Sequence, residues 1–261
     1  MQKITVLIAD DHTIMRQGLR AILQTESDIE VVGEAETGRQ ALQMAGKFLP
    51  DVVVMDIAMP ILNGLEATRQ ITRDIPSCRV IILSSYSDDE YVEQLTEAGA
   101  IGYLLKHTAA TDLIKAIREA KQGNAYFSPS ISRRMLDHYR RAFLSGQPVR
   151  KSNEFLSSRE REVLQLIAEG KTNKQIASVL CLSVKTVEKH RQQVMDRLDI
   201  HDIAGLTRYA MAKGIIEARP ALGPTTTEYR PPAEDQAGSL AGGHAPLLSK
   251  TSSSARDTAP T

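Results

Sequence analysis

The chain has no tryptophan, 4% aromatic residues and only two cysteines in 261 residues. Two cysteines cannot build the disulfide framework of a small secreted scaffold. Cys78 and Cys181 each sit in an apolar run, so two buried thiols in a reducing, cytosolic protein are expected. Long hydrophobic runs are also missing. No stretch reaches about 18 uninterrupted apolar residues, so no transmembrane helix and no membrane partner are expected. The N-terminus leads straight into the strand-like ITVLIAD, without the basic-then-apolar order of a secretory signal. Net charge is absent too, with 32 basic against 32 acidic residues. What is present is 42% hydrophobic content, enough for cores without metal or disulfides, and a length that suits two modest domains.

The neutral average conceals a split. Residues 1–124 carry 12 basic and 18 acidic side chains, a net of −6. Residues 125–149 have a net charge of +3 and residues 150–214 of +4, while 215–261 stand at −1. An acidic first half and a basic second region suggest separate tasks, the latter with a polyanion as partner.

Two periods alternate over residues 1–122. The runs 4–10, 29–35, 51–57, 79–85 and 101–106 are short and aliphatic or β-branched. Helically spaced apolar stripes lie between and after them, over 13–24, 38–48, 63–73, 89–98 and 111–121. This predicts an α/β domain with a five-stranded parallel sheet covered on both faces. Residues 123–153, punctuated by Gly123, Pro129, Gly146 and Pro148, read as a linker with one helix near 130–143. From 154 to 216 the pattern is all-helical: a helix capped by Ser157 or Ser158 and closed by Gly170, then helices over 173–180, 184–198 and about 202–213. Residues 217–261 are rich in Pro, Thr, Ser, Ala and Gly and are expected to be a disordered tail.

Ligands of an open parallel sheet bind beyond the carboxyl ends of its strands. At that edge strand 1 presents Asp10 and Asp11, strand 3 Asp56, strand 4 Ser84 and Ser85, and strand 5 Lys106. Three carboxylates this close repel one another, and a divalent cation with a taste for oxygen, Mg2+, would relieve them. A carboxylate can attack phosphorus, and an ammonium, a hydroxyl and a cation can neutralise the equatorial oxygens. Any one of these residues alone is better read as an ordinary polar strand end. It is their joint arrival on the right strands that points to chemistry.

Asp10-Asp11, the DIAMP stretch with Asp56, Ser84, and GYLLK with Tyr103 and Lys106 together resemble a receiver domain of two-component signalling over residues 1–122. The resemblance implies that Asp56 accepts a phosphoryl group from a sensor histidine kinase. It also implies that Asp11, Asp56 and the Ala58 carbonyl bind Mg2+, with Asp10 assisting through water. Ser84 and Tyr103 would form the switch, with Ser84 moving toward the phosphoryl group and Tyr103 turning inward. One position departs from the common pattern: His107 stands where many receivers have proline, which implies a different loop after strand 5. A loop histidine of this kind is most simply a solvated surface group.

In the helix over 184–198, Val184, Val187, Val194 and Leu198 share one side at about 100° per residue. Lys185, Lys189, Gln192 and Asp196 lie opposite, a basic and amide-bearing face suited to the major groove of DNA. Thr186 and His190 flank it and suit phosphates, while Arg191 falls in the apolar stripe and is expected to pair with an acid of a neighbouring helix. Composition alone would equally suit a solvated face. LSSREREVLQLIAEGKTNKQIASVLCLSVKTVEKHRQQVMDRL, however, resembles the LuxR-type helix-turn-helix of NarL/FixJ-type regulators. That implies a positioning helix over 173–180, with Lys174 among the DNA contacts, a recognition helix over 184–198, and a last helix used for dimerisation.

The expected function is therefore that of a transcriptional response regulator, dimeric when phosphorylated, with DNA, a histidine kinase and RNA polymerase as partners. The receiver would catalyse only its own phosphorylation and dephosphorylation. An aspartate-nucleophile phosphohydrolase would place a second carboxylate two residues after the nucleophile, where this chain has Ala58. A phosphorylation-independent DNA-binding or adaptor protein remains the other alternative.

Overall fold

The computed structural model describes residues 3–85, 94, 96–107, 110–145 and 156–216. Strands β1 (Ile4–Ala9), β2 (Ile29–Ala35), β3 (Val52–Met55), β4 (Arg79–Ser84), β5 (Gly102–Leu105) and β6 (Tyr126–Phe127) form one parallel sheet in the order β2-β1-β3-β4-β5-β6. Helices α1 (Thr13–Gln24), α2 (Gly38–Phe48), α3 (Gly64–Asp74), α4 (Ala110–Lys121) and α5 (Pro129–Ser145) belong to this part of the chain. The helical part consists of α6 (Ser158–Ala168), α7 (Asn173–Leu180), α8 (Val184–Leu198) and α9 (Ile203–Ala212). The helix expected over 89–98 falls largely outside the described residues, as do the stretch 146–155 and the tail 217–261.

The near-continuous apolar runs of the central strands follow from burial on both sides. Residues alternate between faces, so Leu7, Val53, Ile82 and Tyr103 enter one core cluster and Val6, Val54, Ile81 and Leu104 the other. Residues of α2, α3 and α5 pack into the first cluster, and residues of α1 and α4 into the second. Local capping agrees with this packing. Thr37 accepts a bond from the Gln40 amide at the start of α2, and Asn63 accepts one from the Glu66 amide at the start of α3. No helix among the described residues is long and apolar enough to cross a membrane.

The five expected strands are all present, and among the described residues a short sixth extends the sheet: Tyr126 pairs with Gly102 and Phe127 with Tyr103. A two-residue strand is too short to carry a period that sequence patterning can detect. The chain past residue 122 is also more than a linker, because Ile131 is fully buried and Met135 packs beside it on the cluster that holds Tyr103. Cys78 is buried, and burial pushes its thiol up to about 12. Cys181 is exposed, against expectation. It takes the left-handed conformation that ends α7 (φ 52°), which turns it out of the apolar pattern of its neighbours.

The helical part has its own core, built from residues such as Val163, Leu164, Ile167, Ile176, Val187, Val194 and Leu206. Capping boxes open both α6 (Ser157 with Glu160) and α7 (Thr172 with Gln175). The sheet domain and this helical domain fall within one compact unit. If α5 is integral to the sheet domain, Ile131→Ala should lower its stability by about 2–4 kcal/mol in urea unfolding, as for other buried aliphatic truncations. A loss below about 0.5 kcal/mol would return this segment to the status of a linker.

Candidate functional site

The strand order reverses direction at β1, which has β2 on one side and β3 on the other, so the crevice at their carboxyl ends is the switch point of the sheet. Asp10 follows β1 directly and Asp56 follows β3. The Asp56 amide donates to the Ala9 carbonyl at 2.8 Å, continuing the strand pairing into the site. On the other side the Lys106 amide donates to the Ser84 carbonyl at 2.8 Å, which carries β5 on to Lys106. The Lys106 ammonium then lies 2.8 Å from Asp10 Oδ2 and 2.9 Å from Asp56 Oδ2. Asp10, Asp56 and Ser84 are buried, Asp11 and Lys106 are half-buried, and His107 is exposed. Tyr103 is only 1% exposed, so in this structure the ring already sits inward, in the core cluster that includes Ile131.

Burial pushes the Asp56 carboxyl up to about 6, aided by the Asp10 charge and opposed by Lys106. Burial by itself would lower the Lys106 ammonium. The charges and hydrogen bonds of Asp56 and Asp10 outweigh it and hold the ammonium above its usual range. One oxygen-rich set of donors results: Asp10, Asp11 and Asp56, with His12 beside them, each present a ligand atom, all within 4.8 Å of one another. Carboxylates gathered this closely fit a small, hard cation such as Mg2+.

Several contributors escaped the sequence reading. The His12 amide donates to Asp10 Oδ1 at 2.8 Å, and its ring Nδ1 lies 2.8 Å from Asp11 Oδ1. Arg16, buried on α1, donates to the Asp10 carbonyl at 2.7 Å and to Glu36 at 2.6 Å, tying the end of β1 to the loop after β2. Its position three residues before the apolar Leu19 was the available signal. Gly64 has no side chain for a steric reason: a Cβ there would come 1.9 Å from the Asp56 carbonyl oxygen. Its amide donates to the Ile57 carbonyl at 2.7 Å, folding the loop back beneath Asp56.

In the helical domain α8 presents Lys185, Lys189, Gln192 and Asp196 on its exposed face, and Lys174 is exposed on α7. Val187 and Val194 are buried opposite, whereas Val184 is 37% exposed and contributes little to the core. The Gln192 amide donates to Asp196 Oδ1 at 2.7 Å, so reading a base requires it to leave that bond. The Thr186 hydroxyl is engaged with Ser183 at the cap, 2.8 Å away. His190 is half-buried, and its Nδ1 is enclosed without a partner among the described residues, which sets it back from the open face. Arg191 does bond a neighbouring helix, but to an amide: its guanidinium donates to Asn173 Oδ1 at 3.1 Å, where an acid was expected. No acid of α7 is available there, since NKQIASVL contains none.

Residues 6–118 match the family described as Response regulator receiver domain, and residues 154–210 match Bacterial regulatory proteins, luxR family. The chain belongs to the response regulators of two-component signalling, in the branch that joins a receiver to a LuxR-type helix-turn-helix. It is 40% identical over 207 residues to the transcriptional regulatory protein LiaR of Bacillus subtilis (strain 168), a match covering 79% of this chain and 96% of that one. It is 36% identical over 214 residues to the response regulator protein VraR of Staphylococcus aureus (strain NCTC 8325 / PS 47), covering 82% and 99%. Among solved structures it is similar to the two-component response regulator RcsB in complex with DNA, at 28% identity and a TM-score of 0.50, covering 81% of this chain and 99% of that one.

The raised Asp56 carboxyl has a consequence for stability. Between its ordinary range and about pH 6 the folded chain binds a proton that the unfolded chain releases. The favourable contribution of this group is full below its unfolded value and is lost as the pH rises through about 6. Without divalent ions, Asp56→Asn should therefore be more stable than the parent at pH 7.5, by about 1–3 kcal/mol in urea unfolding. The gain should shrink toward zero near pH 4. An asparagine variant less stable than the parent at pH 7.5 would mean that the Lys106 pair outweighs the burial.

Proposed function

We propose that Asp56 accepts a phosphoryl group from a sensor histidine kinase and that this event controls binding of the helix-turn-helix domain to DNA. The observation that carries the reading is the placement of Asp56 beside one ammonium, 2.9 Å from Lys106, and within reach of Asp10 and Asp11 at the sheet's switch point. An Asp56 carboxylate oxygen attacks phosphorus, the bond from phosphorus to the donor imidazole nitrogen breaks, and its electron pair returns to the ring. Lys106 stabilises the charge that spreads over the transferred oxygens, and the Ser84 hydroxyl adds a hydrogen bond. Asp11, Asp56 and the Ala58 carbonyl would hold Mg2+, with Asp10 assisting through water, and the ion would supply further neutralisation of the phosphoryl oxygens.

The same reading gives Ser84 and Tyr103 the role of sensing the modified aspartate. It assigns Lys185, Lys189 and Gln192 to the major groove, and Lys174, Thr186 and His190 to the phosphates. Arg16 and Gly64 position the acidic loops. Phosphorylated chains act as dimers on paired half-sites, in the cytoplasm, with RNA polymerase as the downstream partner. The complex that the similar RcsB forms with DNA supports the DNA-binding half of this reading.

Beryllofluoride with Mg2+, a stand-in for the phosphoryl group, should tighten binding of a target DNA about tenfold in fluorescence anisotropy. Asp56→Asn should not respond to it. Lys174→Ala, which removes a phosphate contact of this reading, should weaken binding and reduce the slope of log affinity against log salt by about one. Equal DNA affinity of the Asp56→Asn chain and the beryllofluoride-treated parent would sink the proposal.

A further inference from the structure

The loop that follows Asp56 is held by the helical domain. Gln165 of α6 donates through Nε2 to the Met59 carbonyl at 3.0 Å and accepts from the Asn63 amide through Oε1 at 2.8 Å. Glu169 accepts from the Ile61 amide at 2.9 Å and from Gln165 Nε2 at 2.8 Å. The Asn63 side chain returns a bond to the Ile215 carbonyl at 3.3 Å. Gln165 is 1% exposed, so its amide is committed to these partners and not to water.

The loop so held is strained. Ile61 has φ 72°, a left-handed conformation that β-branched residues rarely adopt. Its amide rests on Glu169, and its side chain packs against the core of the helical domain. These contacts with the helical domain, together with bonds inside the loop such as that from the Leu62 amide to the Pro60 carbonyl at 2.8 Å, hold this conformation.

This clamp lies three to seven residues from Asp56, whose two carboxylate oxygens are already engaged. Oδ1 accepts from the Ile57 amide at 2.8 Å and Oδ2 faces Lys106. With Asp56 only 5% exposed, a phosphoryl group needs room there, which a movement of the surrounding loop would provide. A loop fixed at Met59, Ile61 and Asn63 resists that movement. Docking does not act by covering the recognition face, since Lys185, Lys189 and Gln192 remain exposed.

We propose that Gln165 and Glu169 are positioning residues for the receiver: from the DNA-binding domain they latch the loop after the phosphoacceptor and slow phosphorylation of Asp56. The inference rests on the phosphoacceptor reading above.

The test uses the full chain with acetyl phosphate and Mg2+, following label at Asp56 on Phos-tag gels over time. Gln165→Leu removes both latch bonds, and Glu169→Ala removes the acceptor for the Ile61 amide. Glu169→Gln keeps that acceptor. Circular dichroism confirms folding of each variant. Gln165→Leu and Glu169→Ala should be labelled about threefold to tenfold faster than the parent, the range that one or two buried hydrogen bonds represent. Glu169→Gln should match the parent, an outcome that a general loosening of the domain would not give. Hydrogen exchange of a peptide spanning 57–63 should rise in the first two variants only. Equal or slower labelling in Gln165→Leu and Glu169→Ala overturns the latch alone. No label in the parent or any variant overturns the phosphoacceptor reading and the latch with it.

Discussion

Everything in the receiver turns on keeping acidic groups dry beside a single ammonium. Asp10 and Asp56 are buried at adjacent strand ends, and Lys106 bridges them at 2.8 and 2.9 Å. Removing carboxylates from water is costly, and the pair is tolerated because the ammonium stands between them. The raised Asp56 carboxyl shows that the compensation is incomplete. A site with unrelieved negative charge invites a cation and a reaction partner that redistributes the charge.

The surrounding structure serves this arrangement. Parallel pairing of β1 with β3 and of β4 with β5 delivers Asp10, Asp56, Ser84 and Lys106 to one edge. Arg16 fixes the backbone at Asp10, and Gly64 lets the loop after β3 fold back against the Asp56 carbonyl. That loop then becomes the surface against which α6 rests. Glu66 on α3 completes the contact: burial would raise its carboxyl, yet Arg161 at 2.8 Å, with help from Ser158 and Gln70, holds it below its ordinary range. A similar pairing joins Arg39 of α2 to Glu162 of α6 at 2.8 Å. The chemistry of one domain and the docking of the other thus share a short stretch of backbone.

The sheet edge was legible in the sequence because a parallel strand announces itself by a hydrophobic run and its last residue is then known. That sufficed to place Asp56 and Lys106, while their roles rest on the company of Asp10, Asp11 and Ser84 and on the resemblance to receiver domains. β6 was not legible, since two residues carry no period, and Cys181 was misread because an apolar neighbourhood says nothing about a left-handed helix end. Arg191 was correctly turned inward but matched to the wrong chemistry, an amide on α7 in place of an acid. Gln165 shows the deepest limit. On a helical wheel it is a polar residue between apolar ones, and only the docked receiver reveals that both ends of its amide are committed.

The central claim is that one carboxylate among the buried acids carries the phosphoryl group. An acyl phosphate can be trapped by borohydride, which reduces the modified aspartate to homoserine. After treatment with acetyl phosphate and Mg2+, peptide mass spectrometry should find homoserine at position 56 and at neither 10 nor 11. Homoserine at 10 or 11, or its absence throughout, would contradict the account.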